Sequence, residues 1–314
     1  MQSTCDFTAG WFSGIAGLLI GHPLDTVKVR QQTFTEHRMF SIIKKTLQKE
    51  GIRGFYKGMG FPIVTAGAYN SLFFGAYATV LRYRHSGQEP DGNLRRFCCE
   101  SGILPPLWHT NLIIAGGIGG ATTVMLGAPV ELIKTQLQVM TDSPAALKQL
   151  HKSGKKTNKV TGPVSCAKHV YELRGLRGFY IGGVSMLLRD IPSFSVYILS
   201  YEHIVCLLQG KMISGEHPRG IYQIIAGGFA GILSWMFLMP LDVIKSKIQA
   251  DDLISPKYKG IIDCFIQSYK QEGTSIFFQG IIPCMVRAFP VNAAVFYVYQ
   301  LIVDKCDEFY FSLK

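Results

Sequence analysis

The chain has 314 residues, of which charged residues make up 17% and hydrophobic residues 48%. Its mean hydropathy is positive, which excludes the pair of soluble domains that its length would suit. A net charge of +11 fits an anionic solute, a membrane surface or nucleic acid, but the hydropathy argues against a soluble nucleic-acid binder.

Uncharged runs cover 7–21, 59–81, 111–130 and 220–241, and two more, 178–201 and 281–303, are broken only by Arg189-Asp190 and by Arg287. About 20 apolar residues cross a hydrocarbon core, so six transmembrane helices are predicted. The first run begins at Phe7 without a basic leader and ends in a charged motif rather than a cleavage site, so it is not read as a cleavable signal.

In chain order the pattern repeats three times. A long odd-numbered helix is predicted over 7–33, a short one over 38–49 and a long even-numbered helix over 60–83. The same order recurs over 111–140, 163–173 and 184–208, and again over 220–250, 260–271 and 281–305. The expected fold is an all-α membrane protein. It is a single transmembrane domain over 1–314 built from repeats 5–86, 109–210 and 218–307 in pseudo-threefold symmetry. Gly10/Gly14/Gly17/Gly21, Gly116/Gly120 and Gly227/Gly231 are spaced so that neighbouring helices can approach closely.

Each odd helix ends in one motif: Pro23-Leu24-Asp25-Thr26-Val27-Lys28, Pro129-Val130-Glu131-Leu132-Ile133-Lys134 and Pro240-Leu241-Asp242-Val243-Ile244-Lys245. The starts lie 106 and 111 residues apart, and glutamine follows nine residues after each proline, at Gln32, Gln138 and Gln249. Each proline removes a backbone donor and is expected to kink its helix, drawing three lower halves towards one axis.

In each copy the acid and the lysine lie three apart on one helix face. An ion at membrane depth needs water or a partner. Three acids and three lysines at equal depth can pair around a ring: Asp25 with Lys134, Glu131 with Lys245, Asp242 with Lys28. Such a ring closes a pore, and each glutamine, one turn beyond its lysine, is expected to brace the pairs. A single copy would read as a surface pair at a helix end; three copies at repeat spacing favour a gate.

The three connections inside the repeats, 28–57, 134–177 and 245–270, hold 22 of the 32 lysines and arginines, whereas the links 82–110 and 209–220 hold 4 and 2. Basic charge marks the side that was not translocated, so both termini are expected on the opposite side. The polar stretch 141–161 reads as a mobile, solvated loop insertion. The eight cysteines show no metal-ligand spacing and are expected to be reduced, structural thiols; Cys98-Cys99 is the one vicinal pair.

These motifs resemble the mitochondrial carrier family. Its second signature element, acid-Gly-four residues-aromatic-basic-Gly, is complete in Glu50-Gly51 to Tyr56-Lys57-Gly58. Arg174-Gly175 to Tyr180-Ile181-Gly182 lacks the acid and the basic residue, and Glu272-Gly273 to Phe278-Gln279-Gly280 lacks the basic residue. The resemblance covers about 7–305. It implies a six-helix barrel in the mitochondrial inner membrane with basic connections in the matrix and termini in the intermembrane space. It further implies a monomer that alternates access to one central solute site, with no enzymatic activity, no cofactor and no nucleic-acid partner.

The resemblance also implies cardiolipin, with phosphates at the starts of the short matrix helices and of the even helices. Gly51, Gly58, Gly175, Gly182, Gly273 and Gly280 are matched to those starts. A family gate of aromatic-acid-x-x-basic on the cytosolic side is reduced here to Tyr77, Tyr201-Glu202 and Tyr299, so a weak cytosolic closure is expected.

Arg189 and Arg287 each lie seven residues past the closing glycine, and Thr65 holds that place in the first repeat. These match the family's substrate positions, and an Arg-acid pair there resembles amino-acid and carnitine/acylcarnitine carriers. An arginine can take a carboxylate bidentately, and Asp190 can pair with an ammonium or can neutralise an arginine internally. Tyr69, Asn70, Phe73, Ser193 and Tyr197 are candidate lining residues, with aromatic faces suited to methylated ammonium groups. His22 reads as a polar group at a helix bend. The expected cargo is a small zwitterionic or cationic amine: a basic or methylated amino acid, or a carnitine-like or choline-like solute. The alternatives are a proton-leak protein and a nucleotide or cofactor carrier.

Overall fold

The computed structural model describes residues 2–34, 38–84, 106–139, 162–210 and 219–312. Among them are six long helices: α1 (Gln2–Thr33), α3 (Gly60–Arg84), α4 (Pro106–Val139), α6 (Gly183–Gly210), α7 (Arg219–Gln249) and α9 (Ile281–Ser312). Three shorter ones, α2 (Met39–Glu50), α5 (Pro163–Gly178) and α8 (Ile261–Glu272), follow α1, α4 and α7. Stretch 141–161 and the Cys98-Cys99 pair lie outside the described residues.

The long helices pack in a closed order, α1 to α3 to α4 to α6 to α7 to α9 and back to α1. Glycines let them meet: a Cβ on Gly120 would come within 2.9 Å of the Asp190 carbonyl oxygen across the α4–α6 contact. Among the described residues, three stretches, Thr110–Val139, Ile224–Gln249 and Thr274–Val303, are long and apolar enough to cross a membrane by length and composition.

Each odd helix runs unbroken through its proline, Pro23, Pro129 or Pro240. Two prolines that were not singled out in the sequence, Pro192 and Pro290, lie inside α6 and α9, three residues past Arg189 and Arg287.

The short helices are strapped to the odd ones by one buried pair each: Ile42/Thr46, Cys166/Val170 and Cys264/Ser268. Arg30, fully buried, donates to Thr46 Oγ1 at 2.7 Å and to Glu50 Oε2 at 2.9 Å. Lys247 repeats this more loosely with Ser268 Oγ at 3.2 Å and Glu272 at 3.7 Å. In the second repeat both partners have changed, to Gln136 and Arg174. They reach instead for the third repeat: Gln136 donates to the Gln249 and Asp251 carbonyls, and Arg174 to that of Leu253.

The start of α8 is held by Asp263, whose carboxylate accepts the Lys259 N–H at 2.9 Å. That bond keeps its acid form disfavoured, below the usual carboxylate range. Cys166 and Cys264 are free thiols that burial pushes up to about 11. Cys284 is also free, whereas Cys306 is disulfide-bonded, which corrects the expectation of reduced thiols throughout.

The six motif glycines divide into two sets, and one departs from expectation. Gly58, Gly182 and Gly280 do precede the even helices. Gly51 and Gly273 instead stand where α2 and α8 stop, with φ of 65° and 70°, and Gly175 breaks α5 internally with φ of 63°. A positive φ interrupts an α-helix, so these three do not start the short α-helices, although Gly51 and Gly273 precede 3-10 turns at Ile52–Tyr56 and Thr274–Phe278. The starts of α2, α5 and α8 follow Arg38, Gly162 and Gly260.

Candidate functional site: a charged cavity above three ion pairs

The three motifs meet. Lys134 Nζ lies 2.9 Å from Asp25 Oδ2, Lys245 Nζ 2.7 Å from Glu131 Oε2, and Lys28 Nζ 2.7 Å from Asp242 Oδ2. The pairs link α1 to α4, α4 to α7 and α7 to α1, the closed ring that the spacing predicts. The physical cause is depth: equal offsets from each proline bring acid and lysine to one level on three neighbouring helices.

The glutamines behave unequally. Gln32 braces its pair, donating to Asp242 Oδ2 at 3.0 Å and to the Gln279 carbonyl at 3.2 Å. Gln138 turns to Thr26 Oγ1 at 3.1 Å, and the buried amide of Gln249 has no side-chain partner among the described residues. The expectation of three equivalent braces therefore holds only for Gln32.

Above the ring is a cavity of about 360 Å³. Its charged lining comprises Asp25, Lys28, Glu131, Lys134, Arg189, Asp190, Asp242, Lys245 and Arg287, all expected either at the gate or at the solute site. Tyr69, Ser193 and Tyr197 line it as expected. Thr65 and Asn70 do not. Thr65 Oγ1 turns back to the Phe61 carbonyl at 2.9 Å, and Asn70 faces Gly14 of α1. Seven residues past Gly58 gives the right depth for Thr65, but its hydroxyl is too short to leave its own backbone. Phe73 is buried against Phe194 at 4.4 Å between ring centres and is a packing residue. His22 is buried, with Nε2 2.9 Å from the Lys57 carbonyl, and does not line the cavity.

The arginines are not free above the gate. Arg189 Nε donates to Asp190 Oδ1 at 2.6 Å, and Arg189 Nη1 to Asp242 Oδ1 at 3.0 Å. Arg287 Nη1 pairs with Asp25 Oδ1. Asp190 is 1% exposed, and its Oδ2 has no hydrogen-bond partner among the described residues. Such an oxygen costs free energy unless a cation or donor reaches it.

Trp235 was missed. It lines the cavity on α7, with Lys28 Nζ 3.9 Å and Arg287 Cζ 5.5 Å from its ring centre. The signal was present: five residues before each motif proline stand Leu18, Val124 and Trp235. Ser234, bonded to Ser193 at 3.1 Å, and Asn292 also line the cavity.

A family profile described as mitochondrial carrier protein matches residues 1–87, 106–212 and 217–308. The chain is 37% identical over 303 residues to human solute carrier family 25 member 48, covering 94% of this chain and 93% of that one. It is 38% identical over 300 residues to mouse solute carrier family 25 member 45, covering 95% and 97%. It is 36% identical over 305 residues to a Bos taurus protein named mitochondrial basic amino acids transporter, covering 95% and 91%. With a closed ring of motif ion pairs beneath a charged cavity, and with matches over nearly its whole length, this chain belongs to the mitochondrial carrier family, whose members are multi-pass inner-membrane solute transporters and not enzymes.

Proposed function

We propose that the chain carries a small zwitterionic or cationic amine across the inner membrane by alternating access. The observation that carries this reading is the Arg189-Asp190 pair in the cavity, with Asp190 Oδ2 buried and unpartnered beside it. Arginine offers a carboxylate two parallel N–H donors, and the orphan oxygen offers an ammonium its counter-charge. Tyr69, Tyr197 and Trp235 add faces for a methylated ammonium. A cavity of about 360 Å³ has room for an amino acid or a carnitine-like solute. The bovine relative is named for basic amino acids, which agrees with this reading.

In this reading six spans in three repeats surround the pathway with pseudo-threefold symmetry. The basic connections face the matrix, the termini face the intermembrane space, and the ring of ion pairs is the matrix gate, closed here. The chain works as a monomer. Cardiolipin phosphates sit where even helices begin, as in the hollow of about 690 Å³ lined by Gly182, Arg174, Tyr258, Lys259 and Gly260.

The test is a thermal-shift screen of purified protein against amino acids, methylated amino acids, carnitines, cholines and nucleotides, followed by labelled uptake into liposomes. Stabilisation and uptake confined to nucleotides would overturn the reading. A second reading rests on the same buried Asp190, which as a central acid could relay protons. A fatty-acid-dependent H+ current without amine uptake would favour it.

A further inference from the structure

The second repeat breaks a rule that the other two keep. Arg30 and Lys247, each seven residues past its motif proline, reach the acid that ends their own short helix, Glu50 and Glu272. In the second repeat those two places hold Gln136 and Arg174. Neither can make the ionic tie, so α5 lacks the clasp that fixes α2 to α1 and α8 to α7.

Both side chains cross the repeat boundary instead. Gln136 Nε2 donates to the Gln249 carbonyl at 2.8 Å and to the Asp251 carbonyl at 3.0 Å, and Arg174 Nε donates to the Leu253 carbonyl at 2.8 Å. Leu253 is buried in a cluster whose other members, Leu132, Val170, Leu173, Phe179 and Ile181, all belong to the second repeat. The gripped carbonyls sit on a segment that is itself tied to the third repeat, because Asp251 accepts the Tyr258 N–H at 2.9 Å just before α8. Thus α5 packs on α4 through Cys166 and Val170 and holds the third repeat through Arg174.

The other boundaries are built differently. Arg30 also reaches its neighbour, at the Gln138 carbonyl, but stays anchored to Thr46 and Glu50 of its own repeat. Lys247 is engaged within its own repeat by Ser268 and Glu272. Parting the second repeat from the third would undo three hydrogen bonds and uncover Leu253 in one step. Leaving buried polar groups unpaired and apolar surface wet makes that step costly.

We propose that α5 yokes the second and third repeats, so that the gate opens by movement of the first repeat against this pair. Asp25–Lys134 and Lys28–Asp242 then part, while Lys245–Glu131 stays joined through the cycle. The proposal rests on the alternating-access reading and adds which boundaries move.

The experiment uses the full chain in liposomes. Arg174→Leu combined with Gln136→Leu, checked for cooperative unfolding, is expected to speed amide hydrogen exchange over 251–258 about tenfold or more while leaving α2 unchanged. Arg174→Lys alone is expected to keep most of the protection. Unchanged exchange over 251–258 overturns the yoke. Should the double variant fail to fold, Arg174→Leu alone is read in the same way, with about a threefold change or more expected.

A merely structural strap would pass that test, so transport is read as well. Short bismaleimide tethers are placed with linker-reactive native cysteines replaced by serine. One joins Arg174→Cys to Leu253→Cys across the second and third repeats. The others join Gly60→Cys to Pro163→Cys across the first and second, and Gln32→Cys to Gln279→Cys across the third and first. Uptake of L-lysine, L-arginine, glycine betaine and choline is compared before and after tethering. The first tether is expected to leave about half of the uptake or more, and the other two to cut it about tenfold or more. Loss of uptake with the first tether overturns the proposal, and so does uptake that survives all three. If none of the four probes enters with the untethered protein, the amine reading falls and hydrogen exchange decides the yoke.

Discussion

Lys28 Nζ lies 2.7 Å from Asp242 Oδ2 and 3.9 Å from the centre of the Trp235 ring, so one gate cation is held by a carboxylate and an aromatic face together. A cation over a desolvated indole is worth about 1–2 kcal/mol. Trp235→Leu is therefore expected to lower the thermal unfolding midpoint of the purified protein. An unchanged midpoint would show that the ring contributes nothing to gate closure.

The three gate pairs should differ in strength. Asp242 is 1% exposed and also holds Gln32 and Arg189, whereas the Glu131 side chain is 30% exposed and has one cation. Exposed pairs contribute about 0–1 kcal/mol, but removing one partner of a buried pair costs about 3–5 kcal/mol. Double-mutant cycles on thermal or denaturant stability are expected to give a larger coupling for Lys28–Asp242 than for Lys245–Glu131. Equal couplings would return the ring to simple threefold symmetry.

Arg189→Ala removes both the partner of Asp190 and a donor to Asp242. Uptake of the transported solute is expected to fall below detection while unfolding remains cooperative, with a shifted midpoint. Full uptake by the folded variant would remove Arg189 from the solute site.

Gly58 and Gly51 separate conformational strain from close packing. Both have positive φ, 82° and 65°, where a side chain costs about 1 kcal/mol or more. A Cβ on Gly58 would also come within 2.8 Å of the Lys134 carbonyl oxygen, whereas one on Gly51 would meet nothing within 4 Å. Gly58→Ala is thus expected to destabilise more than Gly51→Ala. Melting curves in one detergent decide it, and the reverse order would mean that the contact relaxes freely.

Burial in α5 raises the Cys166 thiol from 9.0 to about 11. The folded chain holds this proton more tightly than the unfolded chain does. The resulting stabilisation is complete below about pH 9 and is lost as pH rises towards 11. Cys166→Ala is expected to flatten that part of the alkaline stability profile. A profile as steep as that of the parent would assign the alkaline loss to other groups.

The ring of pairs was legible in the sequence because it needs only depth and cyclic order. Asp25, Glu131 and Asp242 share one offset from their prolines, so each lysine of a three-repeat ring meets a neighbour's acid at its own depth. The even-helix level at Arg189 and Arg287 was legible for the same reason. Where reading went wrong, the missing quantity was direction. Asn70 shares its offset with Phe194 and Asn292, yet it faces α1 while the other two line the cavity. Gly51 was placed at a helix start and stands at a helix end, because a Gly after an acid marks a boundary without saying on which side the helix lies.

The sequence by itself determined the family, the repeat, the three ion pairs and the residue types at the cavity's depth, since each follows from spacing along a helix. Only the tertiary structure decided that Arg287 reaches Asp25, that Arg189 reaches Asp242, and that Trp235 lies beneath Lys28. Helical spacing sets height and face to within part of a turn, but the reach of a long side chain across a cavity depends on how six helices are rotated against one another. That rotation joined the ring of ion pairs and the cavity, read separately along the chain, into one connected set of charges.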